Sequence, residues 1–317
     1  MYKEISINGI QFHIDYFEDL NDLLDKYLGI TSEIETKAEV VSKIVKVSEF
    51  DSVKCKKKIS NSLMLLEDDS VLYYFSGNLR VRVYTFSKKS ARLYIEVKEI
   101  RSSFMEKILK ALLSRNHDSI RLNDYMQAIR HALVFPYLVM MKIHYKVAIS
   151  HGSAFCHRNK SYCILGYDGI GKSTLITEIP EEASVISDNF VIYNDEHLFS
   201  VPEPLRILGN GDNLIYGKNY VKIDRAPEKY DCPKFLFTYL GRKYSFKPFR
   251  DKTLKELNDS FWSFLPEFQD LSKFVVALDF VNGILLGETY SYEYPVFECE
   301  RVELNDNKRA LDELEKL

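Results

Sequence analysis

The stretch at residues 162–174 reads YCILGYDGIGKST and decides the fold of the C-terminal part of the chain. Residues 162–165 form a short apolar run that is typical of a buried strand. The pattern Gly166-x-x-x-x-Gly171-Lys172-Ser173 follows at once and completes the phosphate-binding loop motif. Residues 174–179 then predict a short helix that Pro180 ends. A strand, a glycine loop and a helix in this order predict a nucleotide-binding α/β domain.

The spacing of this motif has a simple physical basis. Glycines at 166, 169 and 171 let the backbone turn so that successive N–H groups point at one anion. The following helix adds the positive end of its dipole. The alternative is a chance glycine-rich turn between a strand and a helix, but here all four fixed positions are filled. The residues that we expect to bind the nucleotide are Gly166, Asp168, Gly169, Ile170, Gly171, Lys172, Ser173 and Thr174.

The length and composition are those of an ordinary globular protein. The 317 residues suffice for two domains, and 46% hydrophobic and 28% charged residues are usual for a folded chain. We predict a smaller N-terminal α/β region at 1–100, with a structural or substrate-recruiting role, and a nucleotide-binding domain at 101–317. The net charge of −3 gives no indication of a nucleic-acid partner.

We see no pattern typical of a targeting signal or a membrane-spanning helix, so we expect a cytoplasmic protein without membrane association. The N-terminus carries acidic residues and no long apolar core, unlike a signal peptide. The longest apolar run, residues 132–141, is interrupted by Pro136 and predicts a buried helix, since it is too short for a bilayer. The five cysteines form no C-x-x-C pair and are expected to be reduced. A zinc site from Cys156, His157 and Cys163 would have none of the common ligand spacings.

Alternation and turn signals predict the elements of the N-terminal region. Two strands are expected around the Asn8-Gly9 turn, a helix at 18–28 and a three-stranded meander over 70–100. The lysine-rich residues 36–60 are interpreted as a solvated face or mobile edge rather than an anion site.

Helical periods and apolar runs organise the remainder of the chain. A hairpin over 148–165 would bring His151 back beside the loop, and residues 183–193 predict a strand that carries Asp188-Asn189. Helices are expected at 104–113, 124–145, 252–264 and 304–317, and closing strands at 274–279, 283–288 and 294–299.

Three charged residues are candidates for catalysis on the basis of their position. An aspartate beside an apolar strand soon after a phosphate loop suits a metal-facing carboxylate, although Asp188 in an ordinary turn is the alternative. Arg206, in a proline-braced loop, is the first candidate for a cation near the developing charge, and Arg242 is the second. Each arginine could equally be a surface residue.

The run from His151 to Val191 resembles the HPr kinase family and its phosphoenolpyruvate-carboxykinase-like relatives. That family has a His-Gly dipeptide on the strand before the loop, a G-x-x-G-x-G-K-S loop and an Asp-Asp pair on the next strand. The matching residues here are His151-Gly152, the loop at 166–173 and Asp188-Asn189. The resemblance is strong over about 40 residues and loose over 126–317, and it does not extend to residues 1–100.

The resemblance implies a carboxykinase-like P-loop kinase domain that uses ATP and Mg²⁺. The acceptor would be a hydroxyl, with a serine of a peptide, a protein or a small molecule favoured, and homo-oligomers are common in the family. By carry-over, Lys172 and the loop hold the phosphates, and Ser173 and Asp188 hold the metal. His151 supports the carboxylate or relays a proton to it.

One departure from the family pattern is Asn189, at the second acidic position. An amide cannot accept a proton as a base at neutral pH. Either Asp188 covers both roles, or His151 takes the proton, or the activity is reduced, and the sequence leaves these alternatives open.

Three functions are compatible with the motif. The first is a kinase, in which the loop, Lys172, magnesium and one carboxylate supply most of what phosphoryl transfer needs. The second is a nucleotide-binding regulatory module or degenerate kinase, which Asn189 favours. The third is a transport or mechanical NTPase, for which residues 274–279 would have to be a strand that ends in a water-activating Asp279, but no neighbouring glutamate supports it.

Overall fold

The computed structural model of the chain describes fifteen short and long segments of the sequence. These are residues 1–29, 38–87, 89–99, 116–165, 172, 176, 179, 183–194, 196–208, 218–223, 229–231, 234–237, 270–271, 273–278 and 299–300. Among them the protein is a mixed α/β structure with an eight-stranded mixed sheet, a second mixed sheet and a two-stranded sheet. The predicted α/β class is confirmed at this level, while the carboxykinase-like architecture stays a prediction.

The first sheet is built from residues of the N-terminal third. Its strands are β1 (Tyr2–Ile7), β2 (Ile10–Asp15), β3 (Val40–Val47), β4 (Cys55–Lys58), β5 (Leu63–Leu66), β6 (Val71–Tyr74), β7 (Leu79–Phe86) and β8 (Ala91–Lys98). Their order across the sheet is β1-β2-β3-β8-β7-β6-β5-β4. The pairs β2–β3 and β3–β8 are parallel and the other neighbours are antiparallel. The predicted hairpin at the N-terminus and the meander over 70–100 are confirmed as β1–β2 and β6–β8.

Strand β3 shows where the lysine-rich composition misled the interpretation of residues 36–60. Val40, Ser42 and Ile44 are buried and alternate with exposed Val41 and Lys43, so β3 is an inner strand with one wet face. The expectation of a mobile edge was therefore wrong for residues 40–47, where the face with Val41 and Lys43 is solvated but the strand is internal. The expectation of a solvated face was right for β4, an edge strand whose four residues are all exposed.

One helix lies between two strands of the first sheet, and a longer helical stretch leads to the second sheet. A 3-10 turn at Glu18–Leu20 leads into α1 (Asn21–Tyr27), which confirms the helix predicted at 18–28. Further along the chain lie α2 (Asn116–Ile129), a π-helical segment (Arg130–Val134) and α3 (Phe135–Tyr145). They confirm the helix predicted at 124–145, whereas the one predicted at 104–113 lies outside the described residues. None of the described helices is long and apolar enough to cross a membrane.

The π-helical segment has an identifiable cause in Pro136. Proline has no N–H to donate to the carbonyl four residues earlier, that of Ala132, and its ring crowds that carbonyl. The helix widens here, and the N–H of Phe135 bonds to the carbonyl of Arg130 five residues back. The Ala132 carbonyl instead accepts a hydrogen bond of 2.7 Å from the Ser42 hydroxyl of β3. This contact fastens the helix to the first sheet.

The second sheet holds the chain around the glycine loop. Its strands are β9 (Ala148–His157), β10 (Lys160–Leu165), β11 (Ser184–Ser187), β12 (Phe190–Tyr193), β13 (His197–Phe199), β16 (Lys229–Asp231), β17 (Lys234–Phe237) and β18 (Cys299–Glu300). The order is β16-β13-β12-β9-β10-β17-β18, with β11 also paired to β9. A separate two-stranded sheet joins β14 (Leu205–Leu208) to β15 (Lys218–Val221). Strand β10 runs antiparallel to β9 and parallel to β17.

Residues 274–278 do not form the closing strand predicted at 274–279, of which residue 279 lies outside the described part. Residues 270–271 and 273–278 are helical. Leu271, Phe274, Val275 and Leu278 are buried whereas Lys273 and Val276 are exposed, which is the period of a helix packed on one side. A short apolar run fits either structure, and here tertiary packing decided for the helix. The helices predicted at 252–264 and 304–317 and the strand at 283–288 lie outside the described residues, as does most of 294–299.

Both sheets and the helices share one connected hydrophobic core. Polar contacts reinforce it at the N-terminal turn, where Asn8 donates to the Tyr137 hydroxyl at 2.6 Å and accepts at its carbonyl from Tyr145 at 2.8 Å. The Tyr137 hydroxyl in turn donates to the Ser200 carbonyl at 2.7 Å. The first sheet is thus bonded to the segment that follows β13. The domain boundary near residue 100 stays a prediction.

Buried His131 makes the stability of this core depend on pH. Its Nδ1 donates to the Gln127 carbonyl at 2.7 Å, and its ring lies 4.9 Å from those of Phe75 and Phe135. Burial lowers the pKa of His131 from about 6.5 to about 3, and the charges of Arg130 and Lys273 act in the same direction. Between these values the unfolded chain binds a proton that the folded chain does not. The stabilising neutral form is therefore fully present above pH 6.5 and is lost as the pH falls towards 3.

We expect His131→Phe to flatten the pH dependence of unfolding in this window by up to about 1.4 kcal/mol per pH unit. Urea unfolding at a series of pH values between about 4 and about 7 measures this slope. His144→Phe is the matched control, because His144 is exposed on α3. An unchanged slope in His131→Phe would show that other groups set the acid sensitivity.

Candidate functional site

The glycine loop lies between two elements that the structure describes. Strand β10 ends at Leu165, as predicted for the run at 162–165, and Lys172 and Ile176 are helical. Lys172, at the start of the segment that follows the loop, is buried, with 7% of the residue exposed. The predicted nucleotide-binding residues that lie outside the described part are Gly166, Asp168, Gly169, Ile170, Gly171, Ser173 and Thr174.

Strand β9 lies between β10 and the Asp188-Asn189 pair, so its pairing on both sides sets their relative position. Gly152 of β9 is paired with Leu165, the last residue of β10. On the opposite edge of β9, the N–H of Gly152 donates to the Asn189 carbonyl at 3.2 Å. Asp188-Asn189 therefore stands level with the end of β10 and two strand spacings away, about 10 Å. The sequence predicted a strand for each of these two segments, and the register brings them to the same end of one sheet.

Strands β11 and β12 flank the Asp188-Asn189 pair and both run antiparallel to β9. The register shifts between Val185 and Ser187, where a bulge disturbs the ladder just before the pair. The Ser187 hydroxyl donates to the Phe190 carbonyl and closes the backbone around the two polar residues. The predicted strand at 183–193 is thus real but interrupted, and the interruption presents the polar pair.

The carboxylate of Asp188 is held from two directions. It is 4% exposed, Oδ1 accepts from the Ser153 hydroxyl at 3.0 Å, and Oδ2 accepts from the backbone N–H of Arg206 at 3.1 Å. Each carboxylate oxygen has two acceptor sites, so both oxygens keep acceptor capacity for a cation. Arg206 Nε lies 4.0 Å from Oδ2 and compensates the buried charge. Asp188 is thus a buried residue in the bend between β11 and β12, and its metal-facing role stays a prediction.

Arg206 belongs to β14 and not to a loop. Its Nη2 donates to the Asp188 carbonyl at 3.2 Å and to Asn189 Oδ1 at 2.9 Å. The guanidinium thus contacts both members of the pair and is 9% exposed as a residue. Of the two candidate arginines, the structure brings Arg206 to the pair, while Arg242 lies outside the described residues.

A further carboxylate reaches the pair from the segment between β13 and β14. Glu203 Oε2 accepts from Asn189 Nδ2 at 3.0 Å, and Glu203 is 7% exposed. Its Oε1 lies 2.8 Å from Nε of Arg130, a close ion pair rather than an aligned hydrogen bond. Arg130 is the first residue of the π-helical segment and is 3% exposed. The site is therefore tied to the helix that anchors the first sheet.

Glu203 and Arg130 were not predicted as site residues from the sequence. The only local signal for Glu203 is its position between Pro202 and Pro204, where a charged residue in a stiff segment has a fixed direction. Arg130 interrupts the apolar face of a predicted helix, which is a weak signal, since such residues usually reach solvent. Their pairing joins residues 73 positions apart in the chain.

His151 lies on β9, paired with Phe190 and 4% exposed. It stands two residues before Ser153, so both side chains emerge on the same face of β9, the face from which Ser153 reaches Asp188. The structure thus brings His151 to the face of the Asp188 carboxylate, while its predicted place beside the loop involves residues outside the described part. Its proposed support of the carboxylate stays a prediction.

The buried charges around Asp188 are balanced. Asp188 and Glu203 carry two negative charges, and Arg206 and Arg130 carry two positive ones. Neutral Asn189 separates the two halves and bonds to each of them. Buried carboxylates need such partners, because removing one member of a buried pair typically costs about 3–5 kcal/mol.

Other candidate metal ligands were tested against the geometry. In the part of the chain that the structure describes, no group of three or more His, Cys, Asp and Glu side chains converges as a metal cage. Cys163 pairs with Ala154 and Cys156 pairs with Ser161, so these cysteines lie at different levels of the hairpin. A site with one carboxylate that shares Mg²⁺ with phosphate oxygens and water needs no such cage.

Comparisons with known proteins add no family assignment. Neither a scan against protein-family models nor a search of curated proteins gives a match. The resemblance to the HPr kinase family therefore depends on the residues that carry it.

We expect Ser153→Ala to destabilise the fold more than Ser150→Ala. Both serines lie buried on β9, but Ser153 donates to a carboxylate, whereas Ser150 bonds to the Tyr193 hydroxyl at 3.0 Å. Hydrogen bonds to charged groups contribute about 1.5–3 kcal/mol and neutral ones about 1 kcal/mol. Urea unfolding of the two variants measures the difference. Equal losses would mean that Ser153 does not stabilise a charged carboxylate.

Proposed function

We propose that this protein is an ATP-dependent kinase that transfers the γ-phosphate to a hydroxyl group, with a serine of a peptide or protein as the favoured acceptor. The observation that supports it most is the buried carboxylate of Asp188, held level with the strand end from which the phosphate-loop motif departs. A carboxylate beside a phosphate loop is the arrangement that phosphoryl transfer uses to place its metal.

The residues fit the cofactors that the motif implies. The Asp188 oxygens accept from a hydroxyl and a backbone N–H and retain acceptor sites, as a hard cation requires. Lys172 contributes a positive charge at the helix that follows β10, which suits the terminal phosphates of a nucleotide. When bound, Mg²⁺ would neutralise charge on the phosphate oxygens.

The chain's own groups divide the remaining tasks. Ser153 and the Arg206 backbone orient Asp188, and the Arg206 side chain orients Asn189. Two groups on this face can accept the proton of the acceptor hydroxyl: Asp188, or His151 in its neutral form. Asn189 donates its amide to Glu203 and so takes no part in proton acceptance. The role of Arg206 as a cation near the developing charge is part of the proposal.

A regulatory module that binds nucleotide without transfer is the second candidate, and Asn189 is the observation that favours it. Such a module needs the loop and Lys172 but no base. A transport or mechanical NTPase is disfavoured, because residues 274–278 are helical and not the strand that this function would need. Cytoplasmic location and homo-oligomers stay predictions.

We expect Lys172→Ala to lower phosphoryl transfer by about 100-fold or more, because it removes a charge that stabilises the transition state. The measurement is transfer of label from MgATP to free serine, threonine and serine-containing peptides. Retention of the fold is checked by urea unfolding. Turnover at the rate of the unchanged protein would exclude the loop lysine from the mechanism.

We expect Asp188→Asn to abolish transfer while ATP binding without metal stays within about threefold, since the loop and Lys172 hold the phosphates. The substitution keeps the shape, and the Ser153 hydroxyl can rotate to accept from the new amide. The same labelled assay and a calorimetric titration with ATP and chelator give the two numbers. A normal transfer rate would contradict the assignment of the metal carboxylate.

A further inference from the structure

Asn189 lies between one side chain that donates a hydrogen bond to it and one that accepts a hydrogen bond from it. Its Oδ1 accepts from Arg206 Nη2 at 2.9 Å, and its Nδ2 donates to Glu203 Oε2 at 3.0 Å. The guanidinium has no acceptor and the carboxylate has no donor, so the orientation of the amide is fixed by chemistry. An amide satisfies both neighbours at every pH, whereas a carboxyl group of the same size does so only when it is protonated.

A carboxylate at position 189 would face Glu203 at the same distance. The oxygen that replaces Nδ2 would lie about 3 Å from Glu203 Oε2, where two like charges cannot both persist without water. Both residues are almost fully buried, at 2% and 7% exposure. The missing second acid of the Asp-Asn pair is thus incompatible with Glu203 as it stands.

We propose that the negative charge expected at position 189 has moved to Glu203, which acts through Asn189 as a positioning residue for Arg206 and Asp188. Only the expected effect on the affinity for MgATP rests on the proposed function. Glu203 is held by Arg130 on one side and Asn189 on the other, so the amide bridge cannot turn. Arg206 then meets the Asn189 oxygen and the Asp188 carbonyl in one geometry.

The test is an exchange of the two side-chain types. Asn189→Asp alone should lower the thermal unfolding midpoint by about 5 °C or more, and Glu203→Gln alone should lower it too, because Arg130 loses its counter-charge. The combined variant Asn189→Asp/Glu203→Gln should regain most of the loss. In it the glutamine amide donates to the new carboxylate, and its carbonyl oxygen faces Arg130.

A pH series separates this exchange from a general packing effect. In Asn189→Asp the two carboxylates share a proton more readily when folded than when unfolded, so their repulsion is relieved at low pH. The deficit in unfolding midpoint should therefore shrink between about pH 8 and about pH 5, and the combined variant should show no such change. A deficit that does not depend on pH would overturn the proposal.

The matched control lies on the exposed turn after β12. Asn194 Oδ1 accepts from the backbone N–H groups of Glu196 and His197, which a carboxylate can also do. Asn194→Asp, Glu196→Gln and their combination should change the midpoint by less than about 2 °C and without coupling. Coupling of similar size in the control pair would remove the support from the exchange at 189 and 203.

Nucleotide binding tests the positioning role. In Glu203→Gln and Asn189→Asp we expect the affinity for MgATP to fall about tenfold or more, as for residues that orient a metal ligand. Affinity for ATP with chelator should fall less than about threefold, because the loop does not depend on Asp188. Unchanged MgATP affinity in a folded Glu203→Gln protein would overturn the positioning role.

The same experiments distinguish failure of the proposed function from failure of the inference about Glu203. If no variant binds ATP, the kinase proposal fails, and the unfolding cycle and its pH series still decide the exchange of charge. If Asn189→Asp does not fold at all, a folded combined variant supports the exchange, and a combined variant that also fails to fold overturns it.

Discussion

The hydrogen bond from the Ser153 hydroxyl to Asp188 Oδ1, 3.0 Å long, joins β9, the neighbour of the strand that precedes the glycine loop, to the bend between β11 and β12. It exists only because β9 pairs with β10 on one edge and with β11 and β12 on the other. A slip of one residue in either pairing would turn Ser153 or Asp188 to the opposite face of the sheet. The position of the carboxylate relative to the end of β10 is therefore a property of sheet register, which makes it rigid.

The buried charges extend this rigidity to the helices. Arg130 reaches Glu203 from the π-helical segment, and Pro136 explains why that segment exists. The carbonyl that Pro136 cannot satisfy is bonded by Ser42 of the first sheet. A chain of contacts thus runs from β3 through the widened helix to Glu203, Asn189 and Arg206. Mechanical support of the candidate site is a role for the N-terminal sheet that needs no chemistry of its own.

Local signals predicted those features that depend on neighbours in the chain. The Asn8-Gly9 turn, with φ of 49° and 78°, follows from the residues that tolerate left-handed backbone, and the β9–β10 hairpin turns at Arg158-Asn159 in the same way. The strand around Asp188 and the helix at 124–145 followed from apolar periods. Two interpretations failed for lack of tertiary information. The lysines of β3 suggested an edge, although this strand lies inside the sheet. The apolar residues 274–278 are compatible with a strand or a helix, and they form a helix. In both cases the structure depends on which side chains become buried in the folded protein, and a window of about ten residues does not reveal this.

The candidate site shows the same limit at the level of single residues. A motif comparison registers Asn189 as the loss of an acid, because it aligns one position at a time. The structure shows that position 189 is bonded to a carboxylate from another segment, so Asn189 lies between two buried acidic residues, Asp188 and Glu203. Charge in a buried site is a property of the cluster, since a carboxylate and an amide in contact can exchange places without changing the total. A substitution at one position therefore has meaning only together with the residue that faces it, and Glu203 is the residue that faces Asn189.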